Sequence, residues 1–218
     1  AVVYVSDQVK SPPDLWIQPL AADGSPSGAA RRLTDHPGTA AYPSYSPDGR
    51  WIAYHRALQG RRNIWIVPAA GGPPVQFTSD AAVDIHPTWS PDGRRILLAR
   101  EENGNTDLYE LDPGAGSSRR LTTHWGIDVG GSWSPDGRRI AFCSARSGTP
   151  QIYIMSPGDE GSAQRITFEG DYNCSPAWSP DGRHIAFAGR RQGSFQIFVV
   201  PAAGGAARQL TFAGSNED

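Results

Sequence analysis

Cysteine, long apolar runs and an excess of charge are all scarce in this chain, and each scarcity excludes something. The two cysteines, Cys143 and Cys174, stand 31 residues apart and lack the close ligand spacing of a zinc site. They are expected to be two small buried hydrophobes, with a bridge between neighbouring units as the alternative. No stretch approaches the ~20 apolar residues of a membrane-crossing helix, so no membrane insertion is expected. No signal peptide is visible. The chain opens on Ala1-Val2-Val3 without an initiator methionine, as would a chain trimmed of a leader or of a preceding domain. The net charge is only -2, which leaves no electrostatic footprint for nucleic acid or an anionic membrane. Arginine pairs such as Arg31-Arg32, Arg61-Arg62 and Arg119-Arg120 read as decoration of solvated turns. Catalytic signatures are missing as well: there is no Gly-x-Ser-x-Gly elbow, no His-Glu-x-x-His and no phosphate-binding glycine loop before a helix. No enzyme is expected.

What the chain does have is repetition. Ser-Pro-Asp-Gly begins at Ser46, Ser90, Ser134 and Ser179, at intervals of 44, 44 and 45 residues, a period that marks stacked units. Within one period the pattern predicts four short strands. An extended run such as Tyr42–Ser46 precedes the Pro47-Asp48-Gly49 turn, where Asp bonds local backbone and Gly accepts positive φ. Trp51–Tyr54, Ile64–Val67 and Val75–Thr78 follow as apolar or alternating strands. Hydrophobe–Thr endings recur at Leu33-Thr34, Leu121-Thr122, Ile166-Thr167 and Leu210-Thr211. No window shows helical periodicity. The content of 25 glycines and 19 prolines suits many turns.

The expected fold is therefore an all-β propeller of about five four-stranded blades, the first lacking its innermost strand, in a single domain. Its units are 1–34, 35–78, 79–122, 123–167 and 168–211, with a closing tail at 212–218. Tyr45, Trp89, Trp133 and Trp178, at the ends of first strands, are expected to pack between blades.

Pro176–Arg183, Ile185–Phe187, Gly193, Gln196–Phe198 and Leu210-Thr211 resemble the WD-repeat-like blade of the TolB C-terminal propeller. The same blade is similar to those of propellers capping prolyl oligopeptidase-type peptidases. The resemblance covers almost all of the chain and implies a scaffold in a periplasmic or otherwise extracytoplasmic location, since TolB partners a peptidoglycan-associated lipoprotein. TolB's six blades exceed the five units read here, and its separate N-terminal α/β domain is not expected in this chain. The missing inner strand leaves three accounts open: a segment of a larger propeller, a ring pinched shut by residues 212–218, or a homo-oligomer joined through the incomplete first blade.

Candidate site residues follow from the period. Six residues past each fourth-strand Thr lie Ala40, Asp84, Asp128, Asn173 and Glu217. If first strands line a channel, these gather at one mouth. Asp84, Asp128 and Glu217 would then be oxygen ligands for Ca²⁺; the preferred alternative is that each carboxylate orders its own loop by bonding backbone N–H groups. Tyr42, His86, Trp125 and Tyr172 would give the same mouth an aromatic rim for gripping a partner, and His86 lies near enough to Asp84 in sequence for an acid–imidazole pairing. The expected function is a non-enzymatic scaffold binding a protein or peptide through Tyr42, Asp84, His86, Trp125, Asp128, Tyr172 and Asn173, with no cofactor required. The alternatives are the gating propeller of a larger peptidase and an excised propeller fragment that closes by self-association.

Overall fold

The computed structural model describes residues 1–7, 12–191 and 193–212; Glu217 lies outside them. Every regular element among the described residues is a strand. The first sheet has three, in the order β1-β2-β3: β1 (Val2–Ser6), β2 (Asp14–Gln18) and β3 (Arg31–Arg32). These match the second, third and fourth strands of the later blades, and among the described residues this sheet has no innermost strand, as expected. The second blade runs β4 (Thr39–Tyr45), β5 (Trp51–Leu58), β6 (Arg61–Pro68) and β7 (Val75–Gln76). The third comprises β8 (Val83–Trp89), β9 (Ile96–Glu102), β10 (Asn105–Asp112) and β11 (Ser117–Arg120). The fourth is β12 (Asp128–Trp133), β13 (Ile140–Ser144), β14 (Gln151–Ser156) and β15 (Asp159–Arg165). The fifth is β16 (Tyr172–Trp178), β17 (His184–Arg191), β18 (Ser194–Pro201) and β19 (Arg208–Gln209). This is an all-β, five-bladed propeller fold.

Ser-Pro-Asp-Gly makes the turn between the first two strands of each blade. In the second blade Ser46 Oγ donates to Asp48 Oδ1 (2.6 Å), which also accepts from Arg50 N (3.0 Å), while Trp51 N donates to Ser46 Oγ (2.9 Å). Gly49 closes the turn at φ 69°, where a Cβ would be strained. The same bonds recur from Ser90, Ser134 and Ser179. The hydrogen bond from each serine holds the turn carboxylates, Asp48, Asp92, Asp136 and Asp181, below the ordinary range. These serines are turn formers.

In the second blade the fourth strand, Val75–Gln76, is shorter than the expected Val75–Thr78, and past its end the recurring Thr adds a side-chain tether. Thr34 Oγ1 accepts from Leu15 N (3.0 Å) and donates to Asp14 Oδ1 (2.9 Å). Thr167 repeats this with Ile152 N and Gln151 Oε1, as does Thr211 with Ile197 N and Gln196 Oε1. A side-chain hydroxyl thus replaces a ladder carbonyl and ties the outer strand to the third. Two arginine pairs are also more than solvated decoration: Arg32 is bonded to the buried Asp14, and Arg120 to Asp107 at 2.6 Å.

The chain divides into two compact units, Ala1–Ile96 with Leu111–Ser117 and Leu97–Glu110 with Ser118–Asp218. The first has a core of Leu15, Ile17, Leu33, Ala40, Ile52, Tyr54 and Val67, against which Tyr45 and Trp65 pack. In the second, residues of the fourth and fifth blades such as Ile152, Ile166, Phe187 and Val200 share one core, and Trp178 packs on it. Trp178 Nε1 donates to Ser132 O (3.1 Å), and Arg139 lies 4.7 Å above its ring. Tyr45 and Trp178 therefore pack across blades as expected.

The cysteines correct the expectation of two independent buried thiols. Cys143 in β13 and Cys174 in β16 form a disulfide with Cα atoms 4.9 Å apart. The pleat turns both Cβ atoms into the seam between the fourth and fifth blades, a proximity that a separation of 31 residues does not reveal in a linear sequence.

Candidate functional site

The innermost strands carry the irregularities that matter. Their pairing slips between Ala41 and Ser44 in β4, between Val129 and Ser132 in β12, and between Cys174 and Ala177 in β16. At equivalent offsets in β4, β8, β12 and β16, Tyr42, His86, Gly130 and Ser175 adopt left-handed φ of 53°, 54°, 62° and 56°. For a side-chain-bearing residue this conformation costs about 1–2 kcal/mol. A bulge of this kind re-aims a side chain, and strained residues cluster at functional positions.

In the first unit two of these residues meet. The rings of Tyr42 and His86 lie 4.0 Å apart, and His55 of β5 joins them at 5.3 Å from Tyr42 and 6.2 Å from His86. His55 reaches the cluster because it pairs directly with Ala41, beside the bulge. Tyr42 is 57% exposed, His86 half-buried and His55 buried. Burial, with smaller contributions from His86 and Arg62, pulls the His55 imidazole down to about 4. Burial and Arg62 lower His86 as well. Both rings are therefore uncharged at neutral pH. The Nδ1 atoms of both are buried without a hydrogen-bond partner.

In the second unit the Trp125 loop is held from below. Glu160, on β15, accepts bonds from Thr123 N (2.8 Å), Thr123 Oγ1 (2.8 Å) and His124 N (3.2 Å). Arg146 Nη2 lies 3.4 Å from Glu160 and 2.9 Å from Asp128 Oδ2. Gly126 permits the close approach, since a Cβ there would come within 2.7 Å of Arg146 N. The result is a braced loop presenting Trp125, 74% exposed, and Ile127, 53% exposed. Burial raises the Asp128 carboxyl, opposed by Ser144, Arg146 and Thr122.

The residues expected at one mouth thus have two characters. Asp84, Asp128 and Asn173 are fully buried. Asn173 donates to Gln151 Oε1 (2.7 Å) and Glu169 O (2.8 Å) and accepts from Arg191 (3.1 Å). Tyr172 makes an edge contact with the exposed Phe195 at 5.4 Å. The ring neighbours of His86 are Tyr42 and His55. No group of three or more His, Cys, Asp or Glu side chains is gathered for a metal among the described residues. Sequence reasoning passed over His55 and Glu160. The signal for His55 is a departure from the repeat: its counterparts, nine residues into their own periods, are Ala99, Cys143 and Ala188.

Blades of this geometry, carrying their variable side chains on bulged inner strands and the loops before them, define a propeller-type repeat scaffold. The sequence profile of the TolB β-propeller domain matches residues 1–117 and 76–218, and the chain belongs to that family. TolB from Acinetobacter baumannii is 30% identical, with a TM-score of 0.83 over 96% of this chain and 52% of that one. A putative TolB from Agrobacterium tumefaciens is 27% identical, with a TM-score of 0.78 over 90% of this chain and 73% of that one. A Mycobacterium tuberculosis puromycin-hydrolysing peptidase shares the fold at 14% identity, with a TM-score of 0.73 over 96% of this chain and 34% of the peptidase. An uncharacterised Agrobacterium fabrum protein is 40% identical over 58 residues, 27% of this chain and 20% of its own. The chain thus spans about half of the Acinetobacter TolB and one fifth of that last relative.

Proposed function

We propose that this chain is a non-enzymatic scaffold that binds a protein or peptide partner through aromatic side chains on its inner-strand bulges and adjoining loops, in an extracytoplasmic compartment. The observation that carries the reading is the Trp125 loop. An exposed tryptophan and isoleucine on a loop already braced by Glu160 offer apolar contact area at low ordering cost, the character of a binding hot spot. Tyr42, stacked at the edge of the His55–His86 pair, is a second such anchor in the other unit. Membership of the TolB propeller family supports a protein partner, and a peptidoglycan-associated lipoprotein is the first candidate to test. The Cys143–Cys174 disulfide supports an oxidising compartment, since such bonds persist outside the reducing cytosol.

Titration calorimetry of the purified lipoprotein domain against the chain, and against its Trp125→Ala and Tyr42→Ala variants, tests this. Tenfold or weaker binding in at least one variant, at an unchanged melting temperature, is the expected result; a tenfold change corresponds to about 1.4 kcal/mol. Equal affinity in both variants contradicts the assignment of these anchors.

A further inference from the structure

We propose that His55 and His86 form a two-imidazole site for a borderline divalent transition metal such as Zn²⁺, Ni²⁺ or Cu²⁺, a metal clasp across the seam between the second and third blades. Three independent observations point to it.

The first is unspent bonding capacity. His55 is only 7% exposed, yet its Nδ1 is buried with no partner, and the same is true of His86 Nδ1. Leaving two ring nitrogens buried and unpaired is costly, and in folded proteins such orphans call for a water, an ion or a chemical role. The second is spacing. Ring centroids 6.2 Å apart leave room for one ion flanked by the two imidazoles from nearly opposite sides at ordinary metal–nitrogen distances of about 2.0–2.1 Å. His86 is held there in a left-handed conformation, φ 54°, which an unconstrained strand residue avoids.

The third is position in the repeat. Cys143 stands at the offset that His55 occupies two blades earlier, nine residues into its period. Its partner Cys174 immediately precedes Ser175, the bulge residue equivalent to His86. At the seam between the fourth and fifth blades, strand two of one blade is thus covalently joined to the bulge of the next. At the seam between the second and third blades, imidazoles stand at the first of these positions and one residue beyond the second, where the later seam has its two sulfurs. Imidazole suits zinc, copper and nickel, whereas Ca²⁺ prefers oxygen. Water or a bound partner's side chain completes the coordination. The site lies beside Tyr42 but stands apart from the partner-binding proposal, because the ion alone is the probe.

The test is calorimetric titration of the untagged chain with Zn²⁺ and Ni²⁺, with Ca²⁺ as the hard-ion control. One equivalent of each transition metal should bind, with a metal-dependent rise in melting temperature and no response to Ca²⁺. His55→Gln and His86→Gln should each weaken the binding tenfold or more, while His184→Gln, on β17 of the fifth blade, should leave it unchanged. If His55→Gln fails to fold, His86→Gln carries the test alone, since that ring is only half-buried. No uptake by the native chain, uptake indifferent to His86, or uptake lost with His184 would each overturn the site.

Discussion

At the scale of single residues, this protein places its unusual side chains where the repeat is broken. Tyr42 and His86 occupy left-handed positions where Gly130 stands in the fourth blade, so sequence alone gives no local reason for a tyrosine or histidine there. His55 has a direct consequence for pH. Its folded value of about 4 lies below the ordinary 6.5, so the unfolded chain takes up a proton that the folded chain refuses. Stability therefore falls as pH drops from about 6.5 to about 4 and levels off below that, by at most about 3 kcal/mol from this group. His86, lowered for the same reason, adds in the same direction. The groups facing His55 are Tyr42, His86 and the like-charged Arg62. Urea unfolding across that range, in the presence of a chelator, should show the slope, and His55→Gln should flatten it. A profile unchanged by the substitution contradicts the buried, neutral imidazole.

At the scale of elements, two contacts do the work of many. The Cys143–Cys174 disulfide closes a loop across a separation of 31 residues, for which chain-entropy arguments give about 3–4 kcal/mol. Paired Cys143→Ala and Cys174→Ala substitutions should lower the free energy of unfolding by that order, and an unchanged denaturation midpoint would argue against the bridge. Trp178 packs on the core shared by the fourth and fifth blades; its truncation to Ala should cost about 3 kcal/mol, read by the same denaturation. The Glu160 brace has a more local signature. In Glu160→Gln, amide exchange at Thr123 and His124 should quicken tenfold or more while the strands of the fourth blade stay protected, because only the loop loses its charged acceptor.

Strand number, turns and period were legible because Ser-Pro-Asp-Gly and the hydrophobe–Thr endings repeat at fixed intervals. The tether made by each Thr was not, since Asp14, Gln151 and Gln196 lie far upstream of the hydroxyls they accept from. Asp128 shows the same limit at the site. Its offset was readable, but its partner Arg146, in the turn that follows β13, depends on how that turn folds back.

At the scale of the whole molecule, the chain is a set of TolB-type blades in which repeated residues build the sheets, and in the function proposed above departures from the repeat carry the recognition chemistry. Buried Asp84, Asp128 and Asn173 belong to the first group; exposed Tyr42 and Trp125 belong to the second. That division makes a spatial claim that a footprint can decide. Hydrogen–deuterium exchange with and without a saturating protein partner should show protection concentrated at residues 40–44, 84–88 and 123–128, with the Ser-Pro-Asp-Gly turns unaffected. Protection confined to those turns or to the outer strands β3, β7 and β19 would contradict it.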